Sequence, residues 1–199
     1  MNIFLYLCIG YLLGSIPFAL VIGKVFYQTD VRNHGSGNLG GTNTGRVLGK
    51  KAGLAVILCD VLKVVLAVGI VAYFDKAASI WAGLAAAFGH CYPIFAGFKG
   101  GKAVATMFGF LLSTAIFTFS NITYVLIPFL TFLILLKISK MVSLSSICAA
   151  AISSIYIQFM QTNIQISIAS WLLTILVIYR HRSNIKHIIE GTERKITWM

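Results

Sequence analysis

The chain has 199 residues, 58% of them hydrophobic and 11% charged, with a mean hydropathy of +0.89. That balance excludes an ordinary soluble domain and describes an integral membrane protein. The net charge of +11 would suit nucleic acid, but the basic residues flank apolar runs and no soluble domain displays them, so anionic head groups and phosphorylated small molecules are the expected partners and nucleic acid is not.

A membrane-crossing helix needs about 20 mostly apolar residues. Seven segments approach that: 3–23, 52–74, 79–96, 103–120, 121–136, 142–160 and 164–179. No Lys or Arg precedes the first, and no small-residue cleavage site follows it, so it reads as a retained span rather than a signal peptide. The third to fifth are short or poorly separated, which leaves a re-entrant segment open. The fourth and fifth meet at Ser120-Asn121, where a tight hairpin is expected, and Pro128 should kink the fifth. No internal repeat is evident, and residues 1–199 read as one all-α domain.

Charge placement orients the bundle. Lys24, Arg32, Arg46, Lys50 and Lys51 follow the first span; Lys99 and Lys102 follow the third; Lys137 and Lys140 follow the fifth; Arg180, Arg182, Lys186, Arg194 and Lys195 follow the seventh. The opposite connections hold Lys76 alone, beside Asp75. The positive-inside rule then puts the N-terminus outside and the C-terminus in the cytoplasm. Cys8, Cys59, Cys91 and Cys148 lie scattered in apolar runs without the close pairing that a metal site needs, so they read as free thiols.

Between the first two spans lies Gly35-Ser36-Gly37-Asn38-Leu39-Gly40-Gly41-Thr42-Asn43, a stretch able to turn several N–H groups toward one anion. It contains a formal G-x-G-x-x-G, with Asp60 about 20 residues on. No strand precedes it and Asp60 sits in an apolar run, so a dinucleotide site is rejected; each Gly-Lys pair lacks the following Ser or Thr of a Walker A loop. The bland alternative is a flexible turn, but Asn38, Thr42, Asn43 and Arg46 add convergent polar groups that a linker does not need. A second cluster, Gly89-His90-Cys91-Tyr92-Pro93 followed by Phe98-Lys99-Gly100-Gly101-Lys102-Ala103, breaks a helix beside two lysines. A helix starting after Gly101 would aim its positive end at an anion; a snorkelling boundary loop explains the same residues. His90 suits a structural role better than that of a base. Asp60 and Lys63 share a helix face inside a span, where charge is costly unless paired or functional. The tail Tyr179-Arg180-His181-Arg182-Ser183-Asn184 reads either as a basic anchor or as a polyol-phosphate site.

Taken together these clusters resemble the bacterial acyl-phosphate:glycerol-3-phosphate acyltransferase family. The resemblance runs through Gly14-Ser15-Ile16-Pro17, the Gly-Ser-Gly-Asn to Thr-Asn loop ending at Arg46, Leu48-Gly49-Lys50-Lys51, Asp60 and Lys63, His90 to Pro93, Phe98-Lys99-Gly100-Gly101-Lys102, Ser143-Leu144 to Ser146, and the Arg-His-Arg tail through Gly191. Gly41 and Ala103 depart from it, standing where Ala and Gly are expected; the first should add flexibility and the second restrict the loop slightly.

The resemblance implies transfer of a fatty acyl group from acyl phosphate to the sn-1 hydroxyl of glycerol 3-phosphate, in a seven-span bundle of the bacterial inner membrane with its site facing the cytoplasm. It implies no cofactor or metal, and a soluble enzyme that supplies the acyl phosphate. Ser36, Gly37, Asn38, Leu39, Gly40 and Thr42, with Asn43, would cradle the acyl phosphate. Arg46, Lys102, Ser143, His181 and Asn184 would hold glycerol 3-phosphate. Lys102, Arg46, Asn43 and His181 would be the catalytic set, supported by Asp60, Lys63 and His90. No His is followed by four residues and an Asp, so the dyad of acyl-CoA-dependent acyltransferases is absent, and no Ser–His–acid arrangement suggests a covalent acyl-enzyme. The donor's own phosphate, His90 or His181 remain as proton acceptors. A transporter for phosphorylated solutes is the alternative class, disfavoured because no inverted repeat or second basic face is seen.

Overall fold

The computed structural model describes residues 2–196. Residue 1 and residues 197–199, the ends of the expected 1–199 domain, lie outside the described residues. The regular elements among the described residues are all helical. The first apolar run is divided into α1 (Ile3–Gly14) and α2 (Phe18–Tyr27). Pro17 lacks an N–H and disfavours helical geometry at Ile16, which explains the break. Then follow α3 (Gly41–Leu48), α4 (Lys50–Phe74) and α5 (Ser79–Cys91). Next come α6 (Val104–Ser113), continued by wider turns to Phe119, and α7 (Thr123–Ser139). The chain closes with α8 (Val142–Met160), α9 (Ile164–Arg180) and α10 (Arg182–Ile189).

Among the described residues, three stretches are long and apolar enough to cross a membrane, Ile3–Tyr27, Lys50–Phe74 and Val142–Met160; α9 and α10 form a fourth if their 59° bend lies within one crossing. The remaining three expected segments are shorter helices. The segment 79–96 loses most to Pro93: α5 stops at Cys91 after 13 residues, and Ile94–Ala96 form a single tight turn. Thirteen residues rise about 20 Å, against a hydrocarbon core of about 30 Å. The hairpin at Ser120-Asn121 is present. Ser120 takes a left-handed φ of 51°, and Asn121 Oδ1 accepts from both the Thr123 N–H (3.0 Å) and its hydroxyl (2.7 Å). Pro128 sits inside α7 without interrupting it.

Small residues set the closest helix contact. On α1, Gly10 and Gly14 lie against the backbone of Ala82 and Ala86 on α5, where any Cβ would collide. Such spacing lets helices approach when lipid supplies no hydrophobic drive. The main apolar core lies around α4, α5 and α6, with Val64, Ala67, Met107, Phe110 and Leu111, and reaches Leu173 and Val177 on α9. These contacts bring α2–α3, α5–α6 and α9–α10, whose connections carry the polar clusters, to one end of the bundle.

Candidate active site

The glycine loop is organised from its two ends and its centre. Val31 and Leu39 are buried in an apolar cluster with Ala19, Leu20, Val56 and Ala96. Leu39 therefore offers a ligand its N–H and not its side chain. Asp30 accepts from the Arg32 N–H and Nε, each at 3.0 Å, and from Nη2 at 2.6 Å. This hydrogen bonding holds the Asp30 carboxyl well below the usual carboxylate range and occupies Arg32. At the centre, buried Asn43 accepts from the Ser36 N–H (2.8 Å) and donates to the carbonyls of Val31 (3.1 Å) and His34 (3.2 Å). Gly35 and Gly37 take φ of 65° and 68° to make these bonds. Among the described residues, no protein acceptor meets the N–H groups of Asn38, Leu39 and Gly40, or of Gly41, Thr42 and Asn43 in the first turn of α3. Those donors sit at the positive end of that helix. Ser36 and Thr42 are exposed at the rim.

Asn43 is thus committed to holding the loop in shape. Asn43→Asp keeps the acceptor for Ser36 but opposes the Val31 and His34 carbonyls with oxygen. We expect a loss of about 2–3 kcal/mol in stability, seen as a lower unfolding temperature. An unchanged melting curve would contradict this role. Gly41 does not act as a flexible joint. A Cβ there would lie 2.8 Å from the Gly53 carbonyl oxygen and overlap Ile57, so its lack of a side chain is what lets α3 rest on α4.

The second loop is pinned from α9, the glycine loop, α5 and α1. Arg180 Nε donates to the Gly101 carbonyl (3.0 Å) and Nη2 to that of Gly100 (3.1 Å), with the guanidinium 5.1 Å from the Tyr92 ring centre. Asn38 Nδ2 also donates to Gly100 (3.3 Å), which joins the two loops directly. The Gly101 N–H donates to the His90 carbonyl (3.0 Å), and Tyr11 donates to that of Tyr92 (2.9 Å). With these carbonyls turned away, the Lys102 and Ala103 N–H groups have no protein acceptor among the described residues. This is more order than a snorkelling loop requires. Ala103 sits at φ 62°, a left-handed conformation that costs a non-glycine residue about 1–2 kcal/mol, so its departure from Gly is more than slight.

Behind this loop, Asp60, Lys63 and His90 form a buried trio. Lys63 Nζ lies 2.7 Å from Asp60 Oδ1 and 3.0 Å from His90 Nδ1, and it donates to the Ile16 carbonyl at 2.9 Å. The Ile16 carbonyl, which at the Pro17 break meets the Phe18 N–H at 3.2 Å, thus also accepts from an ammonium that contacts His90. The other edge of the imidazole abuts Gly101.

The tail completes the cluster. Lys102 Nζ donates to Asn184 Oδ1. Asn184 Nδ2 (2.8 Å) and Ser143 Oγ (2.7 Å) both donate to Glu193 Oε1. Burial pushes the Lys102 ammonium down; Glu193 opposes this, while Arg180 and Arg46 add to it. Arg46 is exposed and has no side-chain partner among the described residues. His181 is buried, and desolvation pushes its imidazole down to about 4. Its Nδ1 lies 2.8 Å from the Val177 carbonyl, which can only accept, so Nδ1 carries the hydrogen and Nε2 presents a lone pair. Two participants escaped the sequence reading. Arg180 stood among the boundary charges, and Glu193 was not among the expected site residues.

A model of the family described as glycerol-3-phosphate acyltransferase matches residues 4–191. The chain belongs to the glycerol-3-phosphate acyltransferase family. Among this acyltransferase's relatives, one from Geobacillus kaustophilus (strain HTA426) is 47% identical over 195 residues, covering 98% of this chain and 96% of its own. Another, from Macrococcus caseolyticus (strain JCSC5402), is 49% identical over 197 residues, covering 98% of both. The acyltransferase is also similar to crystal structures of PlsY, an integral membrane glycerol 3-phosphate acyltransferase. Its glycerol 3-phosphate form gives a TM-score of 0.90 at 35% identity, over 99% of this chain and 96% of that one. Its lysophosphatidic acid form gives 0.87 at 34%, with the same coverage. The acyltransferase is accordingly an integral membrane protein.

Proposed function

We propose that this glycerol-3-phosphate acyltransferase uses acyl phosphate as donor and acylates the sn-1 hydroxyl, giving 1-acylglycerol 3-phosphate. The observation that carries the reading is the Asn38–Gly100 hydrogen bond, which sets two loops with unpaired N–H donors side by side. Two phosphorylated substrates then meet at one place. The backbone of Ser36 to Gly40, with Thr42, cradles the acyl phosphate, and Asn43 holds that cradle in shape. Arg46, Lys102, Ser143, His181 and Asn184 hold glycerol 3-phosphate, while Asp60, Lys63 and His90 brace the second loop. The glycerol oxygen attacks the acyl carbon, the carbon–oxygen bond to phosphate breaks, and the proton passes to the departing phosphate. An imidazole held near 4 suits hydrogen bonding at neutral pH better than proton storage. Because the donor is already activated, positioning and N–H stabilisation of the oxyanion suffice.

Purified protein given palmitoyl phosphate and labelled glycerol 3-phosphate should form lysophosphatidate, with far slower turnover on palmitoyl-CoA. Equal turnover on the CoA ester would overturn the donor assignment. A soluble acyl-phosphate-forming enzyme is the matching partner.

The same reading makes the chain a single domain with seven crossings in the bacterial inner membrane, N-terminus outside and the site cytoplasmic. The charge asymmetry supports it. In a variant lacking Cys8, Cys59, Cys91 and Cys148, cysteines replacing Lys51, Lys99 and Arg194 should label from the cytoplasmic side, and one replacing Lys76 from outside. One reversal among the first three breaks the shared-site model.

A further inference from the structure

Glu193 has no part in the proposed reaction, yet it is the acceptor on which two of the expected substrate-binding side chains converge. Its side chain is 7% exposed. It is also held in place: past the left-handed turn at Gly191, the Thr192 and Glu193 N–H groups donate to the His187 carbonyl (2.8 and 3.1 Å). The Ile196 N–H donates to that of Lys140 at 2.8 Å. His187 Nδ1 stands 3.7 Å from the second carboxylate oxygen. A carboxylate so fixed decides what its neighbours offer. The Ser143 hydroxyl has a single hydrogen, and it points to Glu193. The Asn184 amide cannot flip, because Glu193 only accepts and Lys102 only donates, so its nitrogen faces the former and its oxygen the latter. His181 also presents a lone pair.

We propose that Glu193 is a positioning residue that sets the hydrogen-bond polarity of the glycerol 3-phosphate site. It holds Ser143 and Asn184 as acceptors for the glycerol hydroxyls and leaves the phosphate to Lys102 and Arg46. Three lone pairs, on Ser143 Oγ, Asn184 Oδ1 and His181 Nε2, suit two O–H donors and repel a phosphate. The carboxylate's own charge adds to that repulsion. The inference rests on the site assignment above and divides it into a hydroxyl end and a phosphate end.

Calorimetric titration of the purified protein with glycerol 3-phosphate, and separately with inorganic phosphate, tests it. Glu193→Gln gives Asn184 and Ser143 a donor to face and lets both turn. It should weaken glycerol 3-phosphate at least about tenfold, since a site built to bond hydroxyls discriminates strongly, while phosphate changes less than about threefold. In turnover, KM for glycerol 3-phosphate should rise with kcat at saturation nearly unchanged, a split that general loosening would not give. Ser143→Ala removes one acceptor and should show the same split, which keeps the test valid if the glutamate variant does not fold. Equal weakening of both ligands in Ser143→Ala, or phosphate weakening alone, makes Ser143 a phosphate donor and overturns the proposal. If the unaltered protein binds phosphate but gains nothing from the glycerol moiety, the site assignment itself falls, and this inference with it.

Discussion

Lys102→Ala should lower kcat/KM for glycerol 3-phosphate by about ten- to a hundredfold, because a charge-assisted hydrogen bond of about 1.5–3 kcal/mol is lost from a partly dehydrated site. The lysine lies among Arg46, Arg180 and Glu193, and burial already lowers its ammonium pKa, so no water replaces it at full strength. Its removal also leaves the Asn184 oxygen without its donor. Arg46 is exposed, so screening should make Arg46→Ala the milder variant. Arg46→Lys should stay impaired all the same, since it keeps the charge but loses the planar two-pronged donor. Lys76→Ala, an exposed charge on the far connection, should leave turnover unchanged. Steady-state kinetics at varied glycerol 3-phosphate decides the matter. Near-normal efficiency in both Lys102→Ala and Arg46→Ala, with normal membrane insertion, would remove these loops from the site.

Gly101→Ala should be as damaging without touching a charge. Its new Cβ would fall on the imidazole of His90, 2.6 Å from Cε1 and 2.9 Å from Cδ2. His90 cannot swing away, because Lys63 holds Nδ1 at 3.0 Å and the ring is enclosed. The loop must move instead, breaking its bonds to His90 and Arg180. Overpacking of this kind costs about 1–3 kcal/mol before those bonds are counted. We expect kcat/KM to fall about a hundredfold, with a lower unfolding temperature. Gly97→Ala is the contrast: nothing lies within 4 Å of its Cβ, and at φ 63° it meets conformational strain alone. Adding His90→Ala to Gly101→Ala should cost less than the two single losses summed, because the second change vacates the space. Strict additivity would place the damage elsewhere.

The two loops were legible from residue type, since clustered Gly and Asn between apolar runs have few other uses. The apolar helices were legible from hydropathy, although α5 is shorter than its apolar run because Pro93 ends it. Hydrogen-bond direction was not legible. Asn43 and Ser143 are named equally well as ligand donors in the sequence, yet the first is committed to the loop carbonyls and the second to Glu193. Leu39 looked like a loop residue, and its packing against Val31 and Val56 depends on how α2, α3 and α4 meet. Glu193 lies 50 residues from Ser143, a separation at which no local pattern signals contact.

The bonds from Arg180 to Gly100 and Gly101 span 80 and 79 residues, so the second loop, halfway along the chain, is held by a side chain near its end. Synthesis runs from the N-terminus, and earlier segments are made and threaded into the bilayer while Arg180 does not yet exist. Until α9 docks, the two glycine carbonyls have no guanidinium to turn toward, and their loop has no reason to expose its N–H groups. We therefore expect catalytic competence to arrive with α9, and a nascent or truncated chain ending before it to be inserted yet inert.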